Sequence, residues 1–485
     1  MFSSIGTYEQ RSIEMIFKKM LCPMLYTLCI IVLLGCQATI SQLKPALEEE
    51  GEVYLYNQPF PQEAEKLRFT LEGISAVSID GKEFPFVISL REIKASDMGR
   101  QRQIAFGRLP PGPYLGFSFK IKKAILKVED GEADLLVPET AVRADYPFTV
   151  SRKRAYVISL SFKYKESIRA GFSFSPLFSI FAPSRPIISL AGFVTNKNSN
   201  NIMVFDKKLG QVTGVIATGR GPAGMALDQR LRRVYVAISG DDEIVVIDIT
   251  GGEVINKIKL FTGDRPQELA LSSDGRTLLA LNTGTNTVSF VDPFSLFELN
   301  RVNVGNGPRS LLIDPNGKRA YVFNALSGTI SVLDIASRAI VTTFSTDPGP
   351  IRGQFNRRGD TLFVIHELSS YVTVIDPLSF RILRRFSVGT GMISIKADDR
   401  TDLIYIGRKN DPIVGVYNPL AFVSVDFVKT GGTINYMAID GEENNLYLVN
   451  LDMKSLMVSN LVRKRLVYEM DIGEAPYWVV IMGER

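Results

Sequence analysis

Between residues 67 and 181 apolar side chains fall on every second position: Leu67, Phe69 and Leu71, then Phe117, Phe119 and Ile121, then Tyr156, Ile158, Leu160 and Phe162. A period of two turns one face of an extended segment inward and the other toward water, so these stretches predict half-buried strands. Nowhere in this region does helical spacing persist over three turns. The segment Leu109-Pro110-Pro111-Gly112-Pro113-Tyr114 predicts a rigid turn feeding a strand, because proline fixes φ and offers no N–H to a ladder. A β-sandwich over residues 64–182 is the expectation.

Beyond the prolines of residues 182–186 the pattern repeats. Pro222, Pro266, Pro308, Pro350 and Pro476 stand at intervals of 44, 42, 42 and 126, the last being three periods of 42, with Met392 and Ile434 in the missing slots. Asp206, Asp248, Asp292, Asp334 and Asp376, continued by Asn418 and Asn460, keep a second column at spacings of 42, 44, 42, 42, 42 and 42. A period of 40 to 45 residues holding four short strands is that of a propeller blade. Each unit runs from the proline into an inner strand, through an Asp-x-x-Gly turn into a second strand, and on to a third that ends at the Asp or Asn column. Seven units follow. Residues 187–217 supply three strands before the first complete unit and 475–482 supply one inner strand after the last, so the last strand is expected to pair with the first and close the ring, leaving no open edge. An all-β chain is expected, with a seven-bladed β-propeller over 187–485.

Val234-Tyr235-Val236-Ala237, Ala320-Tyr321-Val322-Phe323-Asn324 and Thr329-Ile330-Ser331-Val332-Leu333-Asp334 resemble the YVTN repeat family of β-propellers. The resemblance covers the propeller segment and implies the fold, not an activity. Leu109-Pro110-Pro111-Gly112-Pro113-Tyr114 is similar to the turn of transthyretin-like sandwich domains found near the N-termini of bacterial surface lipoproteins.

The N-terminus carries a different pattern. Lys18 and Lys19 precede an apolar run over 20–34 broken only by Pro23 and Thr27, too short for the roughly 20 residues of a spanning helix. A charged start, an apolar stretch and a small residue before a cut site read as a signal peptide over 1–35. Leu33-Leu34-Gly35-Cys36 resembles the lipobox of bacterial lipoproteins, which implies lipid modification of Cys36 and, with Gln37 following, sorting to the outer membrane. A signal anchor in which Cys36 is incidental is the alternative, and Met15 as initiator would set the lysines near the start. Residues 36–63, with Glu48-Glu49-Glu50 and no sustained period, read as a tether between membrane and folded body.

Composition trims the functions open to such a chain. Hydrophobic residues make up 45% and charged residues 22% of 485 residues, which supports large cores. A net charge of +5, falling to +4 without residues 1–35, is too dilute to indicate a nucleic-acid partner. All three cysteines, Cys22, Cys29 and Cys36, precede residue 37, so disulfides are not expected. The single histidine, His366, argues against histidine-rich metal or haem sites, and no cofactor is expected.

The repeat register places the loop entering each inner strand and the loop joining strands two and three on one face. Arg220, Arg265, Arg309 and Arg352 all lie within two residues of the repeat proline, and a ring of guanidiniums at the channel mouth would bind carboxylate or phosphate. The structural alternative is that they brace loops or pair with Asp264, Asp347 and Glu268. Asn196, Asn282, Asn324 and Asn450 close strand two, where Ile238, His366 and Arg408 break the pattern, so His366 and Arg408 join the candidate site. His366 beside Glu367 is either a general acid–base pair or a solvated loop pair. On the opposite face nine basic residues interleave with seven Asp, nearly balanced. The resulting expectation is a lipid-anchored envelope protein holding a protein or small anionic ligand on a propeller face. Seven-bladed relatives include lactonases and lyases acting at the channel mouth, which makes an enzyme the alternative. A subunit role in a redox complex follows from family analogy alone.

Overall fold

A computed structural model describes residues 49–484 apart from Asp130 and Phe422. The signal peptide, the lipobox Cys36 and the first part of the tether lie outside the described residues. Among those described, no helix is long and apolar enough to cross a membrane.

The sandwich is built from two sheets. One orders its strands Phe178–Phe181, Ala155–Phe162, Gly51–Asn57, Arg102–Leu109 and Val87–Ile88. The other is organised on two long strands, Leu67–Ser78 and Gly112–Val128, bent by several bulges. The alternating residues seen in the sequence meet in one core: Phe69, Leu71, Phe117, Phe119, Leu160 and Phe162 are all buried.

Gly51–Asn57 corrects the tether, which was expected to extend to residue 63. The segment is a wholly buried strand, parallel to Ala155–Phe162 and antiparallel to Arg102–Leu109. Its period was hidden because both faces are covered: Val53 and Leu55 enter the sandwich core, while Tyr54 and Tyr56 pack against the propeller.

The propeller has seven four-stranded antiparallel blades. Blade 1 is a composite, its inner strand Pro476–Ile481 pairing with Ala191–Asn196, as the register required. The pairing begins at Gly192, and Ile188–Leu190 ahead of it form a short 3₁₀ turn. Blades 2 to 7 begin at Pro222, Pro266, Pro308, Pro350, Met392 and Ile434. The two sequence columns do local backbone work. Proline opens an inner strand, where no N–H is needed, and stands opposite the strand-two closing residue, as in Pro266↔Asn282 and Pro308↔Asn324. The Asp column caps turns: Asp206 accepts the N–H groups of Lys208 and Leu209 at 2.8 Å, and Asp376 that of Leu378 at 2.9 Å.

The sandwich is joined to blades 1 and 7, and Arg154 of the sandwich also pairs with Glu253 of blade 2 at 2.9 Å. Tyr54 and Tyr56 pack with Met203, Phe205 and Met470. Asn201 Nδ2 donates to Tyr54 Oη at 2.7 Å, and Gln101 Oε1 accepts the Val212 N–H at 2.7 Å. Arg102 Nε donates to Asp471 Oδ2 at 2.8 Å.

Candidate functional site

Each inner strand presents the residue two beyond the proline slot to the central channel. Around the ring these are Trp478, Gly224, Glu268, Ser310, Arg352, Ser394 and Tyr436. The two serines are used by the scaffold, donating to Ile351 O at 2.8 Å and Ile434 O at 2.6 Å and so tying neighbouring blades together. The other large side chains fill the channel. Glu268 of blade 3 pairs across it with Arg352 of blade 5 and also accepts the Leu311 N–H at 3.2 Å. The Arg352 guanidinium lies 5.1 Å from the Trp478 ring centre and 5.3 Å from that of Tyr436, and these rings stack at 3.7 Å. Gly224 is required here, since a Cβ would come within 2.8 Å of Gln267 O and Glu268 Cα. Burial pushes the Glu268 carboxyl up, against the opposing pull of the Arg352 guanidinium.

This plug divides the channel. On the proline side Lys197 of blade 1 reaches over the Tyr477 ring at 4.3 Å and donates to Gln267 Oε1 of blade 3 at 3.3 Å, covering the mouth. Burial lowers the Lys197 pKa to about 8. On the Asp-x-x-Gly side a cavity of about 320 Å³ remains, floored by Arg352, Tyr436 and Trp478 and walled by Ala226, Ala270, Leu312 and Val480. Gln354, Gln229 and Glu484 supply its polar edge. Glu484 pairs with Lys396 at 3.3 Å, and burial raises its carboxyl.

The arginine ring read from the register does not form. Arg220, Arg265, Arg309 and Arg352 stand at different offsets from their prolines, so they point differently. Arg220 Nε is held by Asp241 at 2.6 Å, Arg309 pairs with Glu367 at 3.3 Å, and Arg265 is exposed with its backbone N–H on Asp242. Arg352 alone enters the channel, where Glu268 occupies it. Arg408 Nε donates to Asp411 at 2.8 Å within its own loop. Of the suggested partners, Asp264 accepts from Arg301 Nη1 and Nη2 at 2.7 Å and Asp347 binds Arg385 at 2.8 Å. These are loop braces.

His366 is buried, not solvated, and Glu367 turns away from it to Arg309. The imidazole fills the slot that Asn282 and Asn324 occupy elsewhere, with Nε2 3.2 Å from Thr346 Oγ1. Burial lowers its pKa to about 4, although the Asp347 carboxylate pulls the other way. A histidine titrating near 6.5 when unfolded therefore binds its proton more readily in the unfolded chain. Its neutral form supports folding above pH 6.5, and that support is lost as pH falls toward 4. We expect His366→Asn to gain about 2–3 kcal/mol over the parent at pH 4.5 relative to pH 8, read by denaturant unfolding at both pH values. A gain independent of pH would contradict a neutral buried imidazole.

Residues 181–402 match the YNCE-like beta-propeller family. The fold is similar to that of hydrazine synthase from Kuenenia stuttgartiensis, with a TM-score of 0.51 and 19% identity over 57% of this chain and 95% of that one. It is also similar to dihydro-heme d1 dehydrogenase NirN, at 0.50 and 14% over 62% and 78%, and to a protein of unknown function from Desulfotomaculum acetoxidans, at 0.53 and 15% over 60% and 98%. At these identities the likeness shows the propeller fold alone. The chain matches no curated protein.

Proposed function

We propose that this chain is a binding protein of the bacterial cell envelope, lipid-anchored at Cys36, whose propeller takes a small ligand into the channel from the Asp-x-x-Gly side. The observation that carries this reading is the channel itself: plugged by Arg352 and Glu268, covered by Lys197, and open over about 320 Å³ at one end. A concave space in which polar groups converge beside aromatic rings suits a small molecule, and here Gln229, Gln354 and Glu484 converge beside Tyr436 and Trp478. Arg352, the cation in the lining, is already paired with Glu268, and Glu484 in the lining is paired with Lys396. That pairing favours a neutral, partly apolar ligand over the anion expected from an arginine ring. Such a ligand would lie on the Trp478 and Tyr436 floor and meet Gln354 at its edge.

Native mass spectrometry of the protein extracted from membranes tests both halves. A bound small mass should leave on denaturation, while the acyl mass on Cys36 stays. Ala270→Phe, which fills part of the cavity, should lose the bound mass with little change in melting temperature. Equal retention by the parent and Ala270→Phe would place the ligand elsewhere, and an unmodified Cys36 would remove the anchor alone.

A further inference from the structure

A second cavity lies outside the propeller channel, where the sandwich meets blades 1 and 2. It measures about 590 Å³. Its walls come from the start of Ala155–Phe162, the prolines of residues 182–186, the outer strand Gln211–Ala217 and the blade 2 turn around Ile249. Val157, Phe193, Val215, Ile216 and Ile249 make those walls apolar, and all five are buried in the cores on either side. Protein interiors are normally packed without such space. A short distance away the same junction is closed by Tyr54, Tyr56 and Gln101, so the gap belongs to one stretch of the interface.

The rim has the opposite character. Among the described residues, Lys153, Arg154 and Arg185 are the cations lining the cleft, and Glu253 is its one carboxylate. Arg154 Nη2 pairs with Glu253 at 2.9 Å, and Arg185 Nη1 donates to the Thr250 carbonyl at 3.2 Å, which leaves a positive excess at the mouth. The Pro183 and Pro186 rings hold the linker wall in place.

From this juxtaposition we infer that the junction cleft binds a single-chain anionic amphiphile, such as a long-chain fatty acid, with its alkyl chain between the two domains and its carboxylate on Lys153, Arg154 and Arg185. The apolar walls require a hydrocarbon body. The charged rim selects an anionic head over a neutral one. The site is separate from the propeller channel and does not depend on the ligand proposed there.

Titration of the purified full-length chain with oleate, read by native mass spectrometry, tests the inference. One saturable oleate per chain is expected, with oleyl alcohol competing at least tenfold less well. Lys153→Glu combined with Arg185→Glu should weaken oleate at least tenfold with an unchanged melting temperature, because both residues are exposed. Ala217→Trp, which intrudes on the cleft, should abolish the adduct, whereas the channel variant Ala270→Phe should retain it. Loss in Ala270→Phe with retention in Ala217→Trp would move the amphiphile to the channel and overturn the inference. So would equal competition by the alcohol, unsaturable uptake, or binding unaffected by the charge reversal.

Discussion

Removing residues 475–485 should abolish cooperative folding of the whole propeller, not merely fray its end. The strand Pro476–Ile481 is the inner strand of blade 1, hydrogen-bonded to Ala191–Asn196. Trp478, Val479, Val480 and Ile481 are buried between blades 1, 2 and 7. Burial of side chains of this size contributes about 1.5–3 kcal/mol each, so these four alone account for about 6–12 kcal/mol. A whole domain is stable by only about 5–15 kcal/mol. The deletion also strips the Met482 carbonyl from Lys207 Nζ, leaving the Lys207–Asp440 pair, 2% and 0% exposed, short of a bond it has when intact. The ring would open at one blade, exposing the apolar faces of both neighbours. A thermal melt followed by circular dichroism should show no cooperative transition. A truncated chain that melts as sharply and as high as the parent would mean that closure contributes little.

The blade count and ring closure were legible because each repeat column performs the same backbone task from blade to blade. Proline opens the inner strand in five of the seven blades, with Met392 and Ile434 in the other two, and Asp or Asn caps the turn after the third strand in all seven, so the columns survive divergence elsewhere. The channel layer left no column. Its seven positions hold Trp478, Gly224, Glu268, Ser310, Arg352, Ser394 and Tyr436, and what matters is how they meet across the ring. Arg352 and Glu268 were both visible as the one charge on their inner strands, and Glu268 was named as a possible partner. Grouping Arg352 with Arg220, Arg265 and Arg309 by nearness to a proline concealed that it alone sits two residues into its strand. His366 was misread for a related reason: a slot occupied elsewhere by Asn looked like a surface turn, but the register places it opposite Pro350 and buries it. Gly51–Asn57 escaped notice because a strand covered on both faces loses its polar alternation.

The pairing of Glu268 with Arg352 sets up the second large effect. Glu268 is 1% exposed, and the Arg352 side chain 14%. A buried pair gains little over apolar residues of similar size, because desolvating two charges nearly cancels their attraction. Breaking it from one side is different, since the remaining charge stays buried without its partner. Glu268→Leu should therefore cost about 3–5 kcal/mol, with Arg352 left between the rings of Trp478 and Tyr436. Arg352→Met should cost less than Glu268→Leu, because burial already biases the Glu268 carboxyl toward its protonated form. The double variant Glu268→Leu and Arg352→Met should recover most of the loss, giving a coupling energy of about 2 kcal/mol or more in a double-mutant cycle measured by denaturant unfolding. Additive costs would show that the two side chains act independently and that the plug is not a pair. If the double variant is as stable as the parent yet no longer retains the mass that Ala270→Phe also loses, the pair is kept for the shape and polarity of the cavity floor and not for stability.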